Sequence, residues 1–424
     1  MQGSSNRGAT SDAATGTSKG QKFFVIGIGD GPVAELPPRE TEIVASAKVF
    51  SGGKRHRELV GHLLPDGALW IEISVPIDDT LRRYEGHDRV VVFASGDPLF
   101  YGFANTLRRR LPNAELEVFP TFNSLQMLAH RTLLDYATMR CISLTGRAWD
   151  ALDAALISGE PLVGALTDGR KTPSEIARRM LEYGYDNYRM TVGESLGNPA
   201  SEKVHEVALQ EAAGMHFSAP NCVILERIYT KTHPLGIPEG EFALLDGRIR
   251  MITKAPIRIL TLSRLSLERC RVMWDIGFCT GSVSVEARLH FPRLKVVAFE
   301  IREEGEALMA ENSRRHGAPG IEVVTGNFLE ADLASYPPPE AIFIGGHGGE
   351  LPAIMERSAA FLQPGGKIVM NSVTGESRDT FLAEARRLGL ETEAPLHVAI
   401  DEHNPIDILS ATLPHAENGA GIKG

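Results

Sequence analysis

The 424-residue sequence is short of several things, and each shortage removes a class of function. It has four cysteines, Cys141, Cys222, Cys270 and Cys279, with no CxxC pair among them. In a chain this long they read as reduced thiols of a cytoplasmic protein, not as a disulfide frame, and no metal site is expected. Basic residues are also scarce: 44 Lys and Arg stand against 54 Asp and Glu, a formal charge of −10. Nucleic-acid binders present an electropositive face, so neither DNA nor RNA is expected as a partner. No apolar run approaches the ~18 residues that span a bilayer, and no early apolar segment resembles a secretory signal, so no membrane partner is expected either. No Ser-His-Asp or Cys-His set stands out.

What remains is a soluble globular composition, 43% hydrophobic and 23% charged, in a chain long enough for two domains. Residues 1–20 are rich in Ser, Gly, Thr and Ala without apolar periodicity and are expected to form a disordered tail. From "KFFVIGIGD" (22–30), short apolar runs alternate with helix-like stretches through "RVVVFASGDP" (89–98), "PLVGALTDG" (161–169) and "NCVILERIY" (221–229). That alternation predicts an α/β fold with a largely parallel sheet over 21–232. "THPLGIPEGEF" (232–242), with two prolines and two glycines, has linker chemistry, centred on 233–240. A second α/β series follows over 241–424. Its runs are "CRVMWDIG" (270–277), "KVVAFE" (295–300), "IEVVTG" (321–326), "EAIFIGG" (340–346) and "GGKIVMNSV" (365–373), with late antiparallel strands expected near 393–400 and 406–413.

The most informative stretch is "VMWDIGFCTGSVSVEA" (272–287), which sets glycines between a buried-looking strand and an amphipathic helix. There a backbone without side chains can approach a ligand, and the helix offers free N–H groups. Nineteen residues beyond Gly281, the next strand ends in Glu300, where a carboxylate can accept the ribose hydroxyls of an adenosine. A dinucleotide site would read GxGxxG, whereas Gly277 and Gly281 are separated by three residues and preceded by Asp275. This resembles the first motif of class I S-adenosylmethionine methyltransferases, DxGxGxG, with Cys279 at the middle glycine. Cys279 is then either a small residue whose backbone serves, or a reactive thiol. The resemblance implies cofactor contacts from Asp275, Gly277, Phe278, Cys279, Thr280, Gly281 and Glu300. It also places the adenine near Asn327 and Phe328 of "VTGNFLEAD" (324–332), though Phe328 can equally be a core ring. "IFIGGHGGEL" (342–351) lacks the Asn-Pro-Pro-Tyr-like loop of amide methyltransferases. Its four glycines around His347 make an open floor for a bulky planar substrate, with Gly346 and Gly348 as candidate contacts.

Together "GIPEGEF", "MITK", the loop above, "IFIGGHGGEL" and "LQPGGKIVMNSV" resemble the decarboxylating precorrin methyltransferases of cobalamin synthesis. In that family a threonine matching Thr253 touches the cofactor. The departures are Cys279 for glycine, Ala255-Pro256 for a more polar pair, and Glu340 near a usual aspartate. The first half carries "FFVIGIGDGPVAEL" (23–36), "GGKRHRELV" (52–60), "FASGDPLFYG" (93–102), "LTDGRKTPSEIA" (166–177) and "VGESLGNPASE" (192–202). In that order they resemble the tetrapyrrole methylases, a two-lobed fold unrelated to the class I, Rossmann-like one. "PTFNSLQML" (120–128) departs from the commoner small-residue pattern. Here the resemblance implies substrate contacts from Gly27, Gly29 and Asp30, and cofactor contacts from Gly96, Asp97 and Pro98.

The two resemblances span about residues 22–413 and imply a bifunctional enzyme with one S-adenosylmethionine per domain. Its first half would methylate carbon 5 of a precorrin tetrapyrrole, and its second half would methylate carbon 15 and decarboxylate the ring C acetate. A methyl sulfonium is already activated and an electron-rich macrocycle supplies the nucleophilic carbon, so the protein's task is alignment and exclusion of water. His347 is the candidate proton donor for decarboxylation, against a plain loop histidine bonded to backbone. Local positive charge should meet the substrate's carboxylates; "KRHR" (54–57), with Lys54 and Arg55, fits better than "RRR" (108–110), which reads as a solvated helix face. By family analogy the subunit is expected to be a homo-oligomer. The competing readings are a NAD-dependent dehydrogenase, disfavoured by glycine spacing, an RNA methyltransferase, disfavoured by charge, and a tetrapyrrole carrier, which would need only one cleft.

Overall fold

The computed structural model describes residues 20–248, 251–400 and 405–415. The tail expected over 1–20 lies, but for Gly20, outside them. The chain forms two compact units: residues up to Ala137 with Thr191–His205 and Phe217–Ile224, and Thr138–Met190 with Glu206–His216 and everything from Leu225 onward.

In the first unit, β1 (Lys22–Ile28), β2 (Val49–Gly52), β3 (Leu69–Glu72), β4 (Arg89–Ser95) and β5 (Glu115–Phe119) make a parallel sheet in the order β3-β2-β4-β1-β5. Strands covered on both faces read as unbroken apolar runs, as "FFVI" and "VVVFA" do. Phe24, Ile26, Val91 and Phe93 enter one core layer, and Phe23, Val25, Val90 and Val92 the other. Parallel direction brings the loops after β1, β2 and β4 out at one end. A second sheet joins β6 (Arg140–Ser143), β7 (Leu162–Leu166), β8 (Tyr188–Glu194), β9 (Lys203–Val207) and β10 (Asn221–Arg227) in the order β6-β7-β10-β8-β9, with β6 and β7 parallel.

The third sheet lies wholly in the second unit. It contains β11 (Val272–Ile276), β12 (Lys295–Glu300), β13 (Ile321–Thr325), β14 (Ala341–Ile344), β15 (Lys367–Ser372), β16 (Glu391–Thr392), β17 (Leu396–Val398) and β18 (Ile406–Thr412). The order is β13-β12-β11-β14-β15-β18-β16, with β17 also on β18. β11 to β15 are parallel, while β18 pairs antiparallel with β15, β16 and β17. This is the doubly wound arrangement in which ligands bind beyond the carboxyl ends of the central strands. The late antiparallel strands stand where the sequence suggested, with the short β16 added.

Segment 233–240 is not a loose connection. Glu286, fully buried in helix Ser282–His290, accepts N–H bonds from Gly236 (2.5 Å) and Ile237 (2.8 Å). It pairs with the equally buried Arg258, which also donates to the Ile237 carbonyl and lies 5.0 Å over the Phe242 ring. Elsewhere in this unit the Tyr185 hydroxyl donates to the Gly317 carbonyl at 2.6 Å. Glu182 meets Arg314 at 2.8 Å, and Asp153 takes two 2.7 Å bonds from Arg179.

Candidate functional site

The loop after β11 curls because alternate residues take the left-handed conformation: Gly277 (φ +69°), Cys279 (+53°) and Gly281 (+74°). Alternation of this kind turns successive N–H groups inward, into a concavity that accepts an anion. The anion it holds is the protein's own: Cys279 N donates to Glu300 Oε2 at 2.8 Å. Gly277 is obligatory for a second reason, since a Cβ there would stand 2.6 Å from the Gly346 carbonyl oxygen. The cofactor-type loop and the glycine floor after β14 therefore touch backbone to backbone.

Beyond the strand ends lies a cavity of about 220 Å³ that gathers seven of the residues singled out from sequence: Gly277, Glu300, Asn327, Phe328, Gly346, His347 and Gly348. Thr253, Asp275, Phe278, Cys279, Thr280 and Gly281 do not line it. Asp275 is fully buried, with Oδ2 accepting from Ser284 Oγ at 2.6 Å and Oδ1 unpartnered. Burial, with Glu300 adding like charge, pushes its carboxyl up to about 7. Thr280 is buried, and its carbonyl accepts from Asn312 Nδ2 (2.8 Å), while Asn312 Oδ1 takes the Ala243 N–H (2.7 Å). Asn312 thus ties the loop to the segment after 240. Phe278 is buried, with its ring against Gly305. The Thr253 carbonyl accepts from Arg258 at 2.5 Å, which links it to the ion pair behind the loop.

Glu300 is buried at the end of β12, with Oε1 accepting from Arg302 N (3.2 Å) and Nη1 (3.0 Å). A carboxylate offers about four acceptor positions, so with three taken one more donor fits while Arg302 stays. The Arg302 side chain is half exposed and can release its share. Phe328 serves both readings, with its ring centroid 5.1 Å from that of Phe299 and 6.3 Å from that of Trp274 within the core, and one edge on the cavity. His347 Nδ1 accepts the Gly349 N–H (3.2 Å), which places the proton of the neutral ring on Nε2, 3.4 Å from Ser377 Oγ. Burial, with Glu300 again adding like charge, pushes the half-buried Cys279 thiol up, away from the thiolate form a nucleophile needs.

In the first unit, the loops after β1, β2 and β4 meet. A Cβ on Gly27 would fall 2.0 Å from the Gly96 carbonyl oxygen, and one on Gly96 (φ +62°) would press on Asn123. Arg55 pairs with Asp30, whose Oδ2 is buried without a partner, while Gly29 and Lys54 are exposed. Asp97 Oδ1 accepts the Leu99 N–H (2.8 Å), so this carboxylate shapes its own loop, and the Pro98 carbonyl accepts from Ala104 N. His56 was not singled out from the sequence. Its Nδ1 accepts the Gly53 N–H (3.1 Å) and its Nε2 meets Ser95 Oγ (2.9 Å), which ties the "KRHR" segment to the strand end before Gly96. The signal was available in its place between Arg55 and Arg57. The buried Arg258–Glu286 pair carried no motif. Among the described residues no cluster suited to a metal ion occurs, and no helix is long and apolar enough to cross a membrane.

Two family models match the chain: tetrapyrrole (corrin/porphyrin) methylases over residues 22–213, and a precorrin methyltransferase domain over 245–412. A precorrin-6Y C(5,15)-methyltransferase [decarboxylating] of Sinorhizobium sp is 33% identical over 369 residues, 86% of this chain and 88% of that protein. The chain belongs to this family. A second member, from Mycobacterium tuberculosis (strain ATCC 25618 / H37Rv), is 29% identical over 87% of this chain and 92% of its own length. Among solved structures, the C-terminal domain of precorrin-6Y C5,15-methyltransferase from Rhodobacter capsulatus is 33% identical, with a TM-score of 0.35, and covers 43% of this chain and all of that one. Family membership joins a tetrapyrrole methylase fold to a class I methyltransferase fold in one polypeptide.

Proposed function

We propose that the chain adds methyl groups to carbons 5 and 15 of a precorrin-6 macrocycle, with S-adenosylmethionine as donor, and removes the ring C acetate carboxyl as carbon dioxide, giving precorrin-8 in cobalamin biosynthesis. One observation carries this reading: the similarity to a doubly acting relative runs across both halves of the chain, and each half has its own glycine loops at the carboxyl ends of parallel strands. We assign the carbon 5 methylation to 21–232 and the carbon 15 methylation and decarboxylation to 241–424, joined by 233–240, with one donor per half. A cytoplasmic, self-associating enzyme fits four free cysteines and the family, and size-exclusion chromatography with light scattering tests the association.

The residues of the second site suit such a donor, because Gly277 and Gly346, packed too closely for a Cβ on Gly277, bring bare backbone to the wall of the cavity. When bound, the sulfonium supplies an electrophilic methyl carbon. Glu300 holds a hydroxyl pair once Arg302 turns outward, Asn327 and Phe328 line the same cavity beside the adenine, and the buried Asp275 braces the loop through Ser284. Gly346 and Gly348 form the floor for the macrocycle. His347 is the proposed proton source for decarboxylation. To act so, its Nδ1 must leave Gly349 and gain a proton, after which Nε2 can give one up. In the first half, Gly27, Gly29 and Asp30 would face substrate with Lys54 and Arg55, and Gly96, Asp97 and Pro98 would face the donor.

Mass spectrometry of product from a precorrin-6 substrate tests the whole reading: two methyls gained and one carbon dioxide lost are expected. Calorimetric titration of the full chain with S-adenosylhomocysteine should give two sites, and Gly277→Ala should remove one. His347→Ala should slow carbon dioxide release more than methyl transfer; equal release rates would take His347 out of the mechanism.

A further inference from the structure

The loops that follow the adjacent parallel strands β6 and β7, residues 144–149 and 167–172, enclose an open cavity of about 530 Å³ lined by Arg147, Asp168, Arg170 and Lys171, with Gly146 and Gly169 between them. The carboxyl ends of neighbouring parallel strands are where α/β sheets take their ligands. Three cations and one carboxylate surround this space, in a protein whose formal charge is −10. The carboxylate is already spent inward. Asp168 Oδ2 accepts the Gly146 N–H at 2.9 Å, and Oδ1 accepts those of Arg170 (2.8 Å) and Lys171 (2.7 Å). These bonds, led by that from Lys171 and then that from Gly146, hold its carboxyl down at about 2, so it stays a structural anion that knits the two loops together. The Lys171 ammonium sits 5.6 Å over the Trp149 ring, which fixes where its charge is presented, and the Arg170 side chain is exposed. A rim of cations around an open space suits an anionic ligand.

We infer that the loop pair 144–149 and 167–172 is a carboxylate-recognition site for peripheral acid side chains of the macrocycle, with Arg170 and Lys171 as the pairing groups. The inference rests on the proposed function and extends it, because it assigns substrate recognition to residues outside both glycine-loop clusters. Recognition by guanidinium and ammonium at a partly solvated rim adds a modest increment of affinity without touching the reacting carbons, and it weakens as salt rises.

The test uses the full-length chain and the double variant Arg170→Ala/Lys171→Ala. Binding of uroporphyrin III, an eight-carboxylate macrocycle, is followed by tryptophan fluorescence, and methylation at carbon 5 by mass spectrometry. The dissociation constant and the KM for the macrocycle should each rise roughly tenfold with kcat held within about twofold. The swap Arg170→Lys/Lys171→Arg should stay near wild type, and so should Arg108→Ala as a control for general charge. An unchanged constant and KM in the double variant overturn the inference. So does a loss confined to S-adenosylhomocysteine affinity, since the carboxylate recognised would then be the donor's. Should the wild type add no methyl at carbon 5 while uroporphyrin binding still depends on Arg170 and Lys171, the proposed activity fails and the carboxylate site stands.

Discussion

A side chain at position 279 has to live at φ +53°, where a Cβ crowds the following carbonyl and costs about 1–2 kcal/mol. Cys279 is tolerated because it is short and because its N–H bond to Glu300 rewards that conformation. Cys279→Gly should therefore raise the unfolding free energy by roughly 1 kcal/mol, less what glycine adds to the freedom of the unfolded chain. Urea denaturation measures the gain, and S-adenosylhomocysteine affinity should be unaltered. Cys279→Val, β-branched, should lose stability and affinity together. A loss of methyl transfer in the glycine variant, with binding intact, would restore a chemical role to the thiol.

Between elements, the controlling feature is the buried pair Arg258–Glu286, which fastens residues 236–237 to the helix that starts at the cofactor-type loop. Truncating one member strands a charge away from water, at a cost of about 3–5 kcal/mol. Arg258→Met should show that loss in chemical denaturation, together with early proteolysis between residues 233 and 254. Adding Glu286→Gln should recover most of it, because an amide oxygen still accepts the Gly236 and Ile237 N–H groups without a net charge. Sequence alone could not show this fastening. Glu286 lies about fifty residues from the backbone it holds, and helix period says only which face it occupies. The same limit hid His56, a helical residue whose partner Ser95 ends a strand about forty residues on. Strands such as "KVVAFE" and the glycines of both clusters were legible because local patterning dictates them. Which of those residues would meet around one cavity was not. Phe278 and Thr280 belong to the motif, yet turn into the protein interior.

At the scale of the whole molecule, acid strains the fold at its buried histidines. His233 is pushed down to about 4 by burial first and by Lys231, His290 and His316 next, and His316 is lowered mainly by burial. Between about pH 6.5 and 4 these histidines bind protons in the unfolded chain that they refuse in the native state, so their contribution to stability is lost as pH falls through that window. Asp275, raised to about 7, acts in the opposite sense over the same window, so the histidine contribution is read by difference: from pH 7.5 to 5 the wild type should lose stability relative to His233→Asn. An unchanged pH profile in the variant would remove His233 as a cause.

The bond from Tyr185 to the Gly317 carbonyl has a consequence for anyone who would divide this polypeptide. Cutting the backbone near residue 235 would part the catalytic activities on paper, but it would leave the phenol on one fragment and its acceptor on the other. Each product would carry a raw seam, and a faithful dissection must mend that seam as well as choose a place to cut.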